Sequence, residues 1–286
     1  MNDMADGAAD DEKVTVSKLC RMVCMSRQNY YEARRYRQRR KIDEGLVVEL
    51  VKAERRIQPR LGTRKLLHIL GPEFAEAGID IGRDRFFEVL GLNGLLLERK
   101  KTWPKTTNSR HSLPVFHNLV AGLNVEMPNQ VWVSDLTYIR TEEGFMYASV
   151  IMDRFSRKIL GAHIGDSLEA LGCIAALDKA LTDLPEGSRP IHHSDRGCQY
   201  CCHEYVNRLR ARHLSISMTE ESHCYQNAHA ERVIGILKQE YEMDATFKSK
   251  IHATEAFYQA LELYNYRRPH LSLNYRTPAE VHAQAA

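Results

Sequence analysis

The run Val131-Trp132-Val133-Ser134-Asp135-Leu136-Thr137-Tyr138-Ile139 constrains the fold more than any other stretch. It is dense in β-branched and aromatic residues, which suit a pleated, half-buried surface better than a helix. It reads as a strand near the middle of a sheet, and a carboxylate there is costly unless it is paired or holds a cation. The next residues supply its neighbours. Glu142-Glu143-Gly144 reads as a turn, residues 145–152 as a second strand and residues 158–164 as a third, giving an antiparallel meander. Residues 168–181 have helical periodicity, 190–194 form a short strand, 200–212 a helix and 214–218 a fifth strand. A loop over 220–226 leads to helices over 227–243 and 251–266. The order β-β-β-α-β-α-β-α-α predicts a layered α/β domain with a mixed five-stranded sheet.

The front of the chain is different. Residues 1–12 contain five acids (Asp3, Asp6, Asp10, Asp11, Glu12) and no base. Residues 13–110 hold 23 bases against 11 acids, and residues 111–286 hold 17 against 21. The formal charge of +3 thus hides a basic front third and a mildly acidic body. Such a split predicts an anion-binding module joined to something else. Val16, Leu19 and Val23 form an apolar stripe at helical spacing, and Ser26 is a good N-cap for a helix starting at Arg27. Two short helices around a tight turn suit a helix-turn-helix, with Arg27, Gln28, Arg34 and Arg35 facing DNA. A second helical unit comes next. A helix over 46–57 is stopped by Pro59, Arg64 and Lys65 open the next, and Gly71-Pro72 interrupts it. After the turn over 78–82 a helix over 83–92 places Arg83 and Arg85 at its start. These cations are candidate DNA contacts. Residues 1–13 read as a disordered acidic tip, 14–98 as the helical DNA-binding region, 99–125 as a basic linker and 126–286 as the α/β domain.

Other classes fall away. No apolar run approaches the ~18 residues of a membrane span, and no apolar core follows a basic start near the N-terminus. Seven cysteines at irregular spacing read as reduced cytoplasmic thiols. His192, His193, Cys198, Cys201, Cys202, His203, His223 and Cys224 invite a zinc reading, but they supply one Cys-x-x-Cys and no second pair.

Three acids stand out by placement: Asp135 in mid-strand, Asp195 at the carboxyl end of the fourth strand, and Glu231 on the helix after the fifth. Ends of sheet strands are where α/β proteins build ligand sites. Three hard oxygen ligands suit Mg²⁺ or Mn²⁺, and two such ions about 4 Å apart can hold both the attacking and leaving oxygens of a phosphodiester displacement. Glu220 and Glu221 compete with Glu231 for the third position, and Asp153, at the end of the second strand, competes with Asp135.

The segments Trp132–Ile139, His193–Tyr200 and Asn227–Arg232 with Lys238 resemble the integrase core of bacterial insertion-sequence transposases of family three, specifically the OrfB product. The 35-residue gap between Asp195 and Glu231 matches the spacing shared with retroviral integrases. Tyr264-Asn265-Tyr266-Arg267-Arg268-Pro269-His270 resembles the family's closing segment. Gln226 departs from it, since the family usually has an acid before Asn-Ala. The resemblance implies a ribonuclease-H-like (integrase) core behind the helix-turn-helix region. It implies a transposase of the DDE type that cleaves and transfers DNA strands at terminal inverted repeats and target DNA. Asp135, Asp195 and Glu231 would be catalytic and hold two Mg²⁺ or Mn²⁺ ions, and Lys238 would meet a DNA phosphate. It also implies action as a homo-oligomer on DNA, with or fused to the OrfA product, in the bacterial cytoplasm at the nucleoid and without a membrane. Two other readings stand beside it: a nuclease of the same fold without strand transfer, and a DNA-binding regulatory fragment.

Overall fold

A computed structural model describes residues 15–98, 113–220 and 224–284. The acidic tip over 1–13, most of the basic linker, Glu221 and His223 lie outside the described residues.

The front third is helical: α1 (Val16–Met22), α2 (Arg27–Ile57), α3 (Thr63–Glu76) and α4 (Arg83–Leu92). Ser26 caps α2 as expected, its Oγ accepting from the Asn29 N–H at 3.0 Å. The helices expected from Arg27 and over 46–57 are one helix of 31 residues. Gly45 is the weak link between them, at a cost of only about 1 kcal/mol. The ion pair Arg40–Glu44 (2.9 Å) and the burial of Val47, Val48 and Val51 carry the helix through it. The expected interruption at Gly71-Pro72 is also absent, because Pro72 sits inside α3. Leu66, Leu70 and Phe74 lie four residues apart on one face, and burying all three on both sides of the proline outweighs a lost N–H of about 3 kcal/mol. They pack against Val47 and Val51 of α2 and Phe86, Val89 and Leu90 of α4.

The remainder is β1 (Val131–Thr141), β2 (Gly144–Asp153), β3 (Ile159–Gly165), α5 (Ala170–Thr182), β4 (Ile191–Ser194), α6 (Cys198–Cys201), α7 (His203–Ala211), β5 (Ser215–Met218), α8 (Ala228–Glu240), β6 (Thr246–Phe247), α9 (Lys250–Tyr266) and α10 (Pro278–Gln284). The sheet runs β3-β2-β1-β4-β5, antiparallel across the meander and parallel from β1 to β5. This mixed sheet and its order are those of the ribonuclease-H-like fold. β6, which no sequence pattern predicted, adds two residues beside the far end of β1. The helix expected over 200–212 is split at Cys202, whose extended backbone (φ −68°, ψ 149°) ends α6 and starts α7.

Alternation along β1 feeds two cores. Trp132 packs with Ile151, Leu177 and Tyr205 under α5 and α7. Val131, Val133 and Ile139 pack with Val233, Leu237 and Phe257 of α8 and α9. Gly161 is required where α5 crosses β3, because a Cβ there would lie 2.1 Å from the Ala176 carbonyl oxygen. The front helices dock on the core through polar contacts. Arg267 grips the buried Glu54 (2.7 Å), Tyr241 donates to Gln58 (3.2 Å), and His68 stacks on Tyr275. Among the described residues no helix is long and apolar enough to cross a membrane.

Candidate active site

The parallel pairing of β1 with β4 aligns Val131 with Ile191, Trp132 with His192 and Val133 with His193. Each strand then continues with Ser-Asp, so Asp135 and Asp195 stand at the same level, two residues beyond the last pair. β4 stops at Ser194 while β1 runs on, which opens a cleft between them. Both carboxylates line it, in a volume of about 590 Å³ that also takes in Tyr138, Phe145, Gln199 and Tyr200. Asp195 is fixed by a tight turn: its Oδ1 accepts from the Gly197 N–H at 3.0 Å, and Ser194 Oγ donates to its carbonyl at 2.9 Å. Asp135 Oδ1 accepts from the Leu136 N–H at 2.9 Å. Tyr200, which also lines the cleft, is buried. Burial raises the pKa of its hydroxyl well above 10, and Cys173, Tyr205, Asp135 and Asp195 add to the effect.

Helix α8 brings the third acid. Asn227, immediately before it and 2% exposed, donates its Nδ2 to the carbonyl of Ser134 at 3.0 Å. That bond pins the start of α8 to β1 beside Asp135. Glu231 lies in the first turn of the helix and Lys238 two turns on, along the same flank. Lys238 Nζ sits 4.6 Å from the centre of the Tyr138 ring, at the cleft wall. Burial lowers the Lys238 pKa, and the nearby Asp135 and Asp244 carboxylates oppose that effect. Glu231 is not part of the cleft lining, and among the described residues no three His, Cys, Asp or Glu side chains stand close enough to hold a metal ion. Two of the three hard oxygen donors thus share one opening, and the third is carried on a helix tied to the same strand.

Two of the rival acids, Asp153 and Glu220, have partners of their own. Asp153 is fully buried and caps its turn, accepting from the N–H and hydroxyl of Ser156 (both 2.7 Å) and from the Asn129 N–H (2.8 Å). Glu220 and Gln226 clasp each other, so the residue that departs from the family pattern closes the loop before α8. Burial holds the thiols of Cys173 and Cys201 up at about 11, where they stay protonated.

The candidate DNA contacts separate into two groups. Arg27, Gln28 and Arg34 are exposed along the first turns of α2, and Arg64 is exposed on α3. Arg83 pairs with Asp84, and Arg85 with Glu44 and Glu88. Lys65 is turned inward, 8% exposed, and bonds both oxygens of Glu240. Sequence reasoning missed Asn227 as the tether of α8 and Tyr138 as the aromatic under Lys238. The Asn227 signal was available in its place directly before a helix, where Asn commonly caps.

Known proteins share this outline. Two models of the integrase core domain match, over residues 125–224 and 212–278. The chain is 35% identical to the insertion element IS600 uncharacterized 31 kDa protein of Shigella sonnei, covering 91% of this chain and 96% of that protein. It is 30% identical to the transposase for insertion sequence element IS629 of Shigella sonnei, over 94% and 92%. It is 34% identical to the transposase InsF for insertion sequence IS3A of Escherichia coli K12, over 51% of each. Among solved structures, the HTLV-2 integrase catalytic core domain in complex with magnesium superposes with a TM-score of 0.44 at 20% identity, over 55% of this chain and 97% of that one.

Proposed function

The chain belongs to the transposases of insertion-sequence family three, enzymes that move DNA by strand transfer, and we propose that Asp135, Asp195 and Glu231 are its catalytic carboxylates. The observation that carries this assignment is the shared level of Asp135 and Asp195 at the open end of the β1–β4 pair. The tether from Asn227 to Ser134 supports Glu231 as their third partner.

The donor set is all carboxylate oxygen, which fits Mg²⁺ or Mn²⁺ and disfavours softer metals. When bound, two such ions supply positive charge at the attacking and leaving oxygens of the phosphodiester. The chain's own residues then hold the substrate in place. Lys238, standing on the Tyr138 ring, meets a phosphate at the rim of the cleft. Tyr138 and Phe145, both exposed and in edge-to-face contact, offer an apolar wall beside it. Arg27, Gln28, Arg34 and Arg64 supply cationic and polar contacts to the inverted repeats from the front helices. Lys65, Arg83 and Arg85 join them only where DNA displaces their present carboxylate partners. The active form is a homo-oligomer on DNA, working with or fused to the OrfA product at the bacterial nucleoid.

A strand-transfer assay in Mg²⁺ on duplexes carrying the element's ends tests the assignment. Asp135→Asn, Asp195→Asn and Glu231→Gln should each lose transfer while still binding DNA. Retention of transfer by any of them removes that residue from the site. Cleavage of RNA–DNA hybrids alone by the wild type would favour the nuclease reading.

A further inference from the structure

The flank of α8 turned away from Glu231 and Lys238 borders a second cavity. His229, Arg232, Val233 and Ile236 cluster about 150° around the helix from Glu231, at 100° per residue, and all four line it. Its volume is about 340 Å³, at the lower end of the range for small-ligand pockets. Lys65 from α3, Arg157 from the β2–β3 turn, and Arg268, His270 and Ser272 from the closing segment complete its polar lining.

The charge around it does not balance. Arg268 grips Glu240 with two bonds of 2.8 Å, and Lys65 bonds the same carboxylate at 2.8 and 3.0 Å. Glu240 does not serve Arg157, whose side-chain partner is an imidazole. Arg157 Nη1 instead donates to His229 Nδ1 at 2.6 Å, and burial, with Arg157 beside it, keeps that imidazole neutral with a pKa of about 4. Four cations therefore line one partly enclosed space, two of them sharing Glu240 and Arg232 exposed at its edge, an arrangement that suits a further negative charge. Burial lowers the Lys65 pKa to about 8, with Arg268 adding to the effect. His270 is 7% exposed, and its Nε2 has no hydrogen-bond partner among the described residues. An adjoining hollow of about 380 Å³ continues the basic lining with Arg154 and Arg276.

We propose that this cavity binds a phosphate-class oxyanion, gripped by Arg157, Arg232, Arg268 and Lys65 with His270 as a neutral hydrogen-bond partner. Guanidinium forks match the paired oxygens of a phosphate, and a partly dry site strengthens each contact. The site is distinct from the carboxylate cleft and does not rest on the assignment of Asp135, Asp195 and Glu231. Because Lys65 belongs to α3 and the other ligands to the core, a bound anion would also fasten the front helices to the catalytic domain. A free phosphate and the terminal phosphate of a DNA strand present the same chemistry.

The test is thermal unfolding of the full chain with EDTA, in inorganic phosphate and in chloride of equal ionic strength. Phosphate should raise Tm in a saturable, concentration-dependent way, as one-site binding to the folded state requires. The double variant Arg157→Gln/Arg232→Gln should lose that rise, and the exposed-site variant Arg189→Gln should keep it. Calorimetry should give one phosphate per chain, with affinity at least tenfold weaker in the single variant Arg232→Gln, at an exposed position. Equal Tm in phosphate and chloride, a wild-type response in the double variant, or unchanged affinity in Arg232→Gln each overturns the proposal. Competition by a 5′-phosphorylated oligonucleotide, but not by its 5′-hydroxyl twin, supports the site with a DNA end as the source. Phosphate binding that neither oligonucleotide displaces supports it with a free anion as the source.

Discussion

The carboxylate cleft and the basic cavity lie against opposite flanks of one helix, α8, and they are built in different ways. The cleft takes Asp135 from within β1 and Asp195 from just beyond β4, set level by backbone register, with Glu231 on the helix beside it. The cavity takes its cations from α3, a strand turn, α8 and the closing segment, with Lys65 and Arg268 held by Glu240 and Arg157 bonded to His229. A site set by register tolerates loss of a side chain without losing its shape. A site set by buried ion pairs does not, since removing one partner strands the other. Substitutions on the cleft side should therefore cost activity, and those on the cavity side stability.

The largest expected effect is on the cleft side. Asp135→Asn and Asp195→Asn should each lower strand transfer by about 10³-fold, the scale of losing one electrostatic stabiliser of a transition state, with Tm near that of the wild type by circular dichroism. A large fall in Tm would erase the contrast. On the cavity side, Glu240→Gln leaves Arg268 and Lys65 without their shared carboxylate, and urea unfolding should show a loss of about 3–5 kcal/mol. Asn227→Ala lies between the two: removing a group that orients an acid should cost about 10- to 100-fold in turnover, read as a drop in kcat larger than any change in KM. Lys238→Ala is smaller, and should weaken DNA binding with a salt slope reduced by roughly one, measured by fluorescence anisotropy over a salt series.

Acid should act on the buried groups around both sites. Burial holds His192 and His270 down at about 3 and His193 and His229 at about 4. The unfolded chain binds protons at these histidines near pH 6.5, where the folded chain does not, so stability should fall as pH drops from about 6.5 toward 4. Glu240, although burial alone would raise it, is held at about 2 by Arg268 and Lys65. Its contribution is present above the unfolded carboxylate range and is lost as pH falls toward 2. Both signs agree, and thermal melts should change little between pH 8 and about 6.5 and fall from there toward pH 4.

The difference between register and side-chain pairing also governs what the sequence could reveal. The strands were legible because β-branched runs are local signals, and Asp135 and Asp195 stood out as a mid-strand acid and an acid at a strand's carboxyl end. Glu231 and Lys238 were legible as one flank because their spacing of seven residues is two helical turns. The cavity was not, because Lys65, Arg157, Arg232 and Arg268 are scattered over two hundred residues of chain, and Lys65 looked like a surface cation until α3 docked. The separate helix over 46–57 and the interruption at Gly71-Pro72 were expected for a related reason: local propensity favours breaks that tertiary burial of Val47, Val51, Leu66 and Phe74 overrides. β6 is two residues long and owes its existence to the free end of β1, which no local pattern announces.

Everything on the cleft side depends on Asp135, Asp195 and Glu231 holding the divalent ions that the chemistry requires. The most direct measurement is a Mn²⁺ titration of the full chain by electron paramagnetic resonance, in the wild type and in Asp135→Asn, Asp195→Asn and Glu231→Gln. The wild type should bind saturably, and each variant should bind at least tenfold more weakly while the fold is retained. Binding of Mn²⁺ by all three variants as tightly as by the wild type would contradict the assignment.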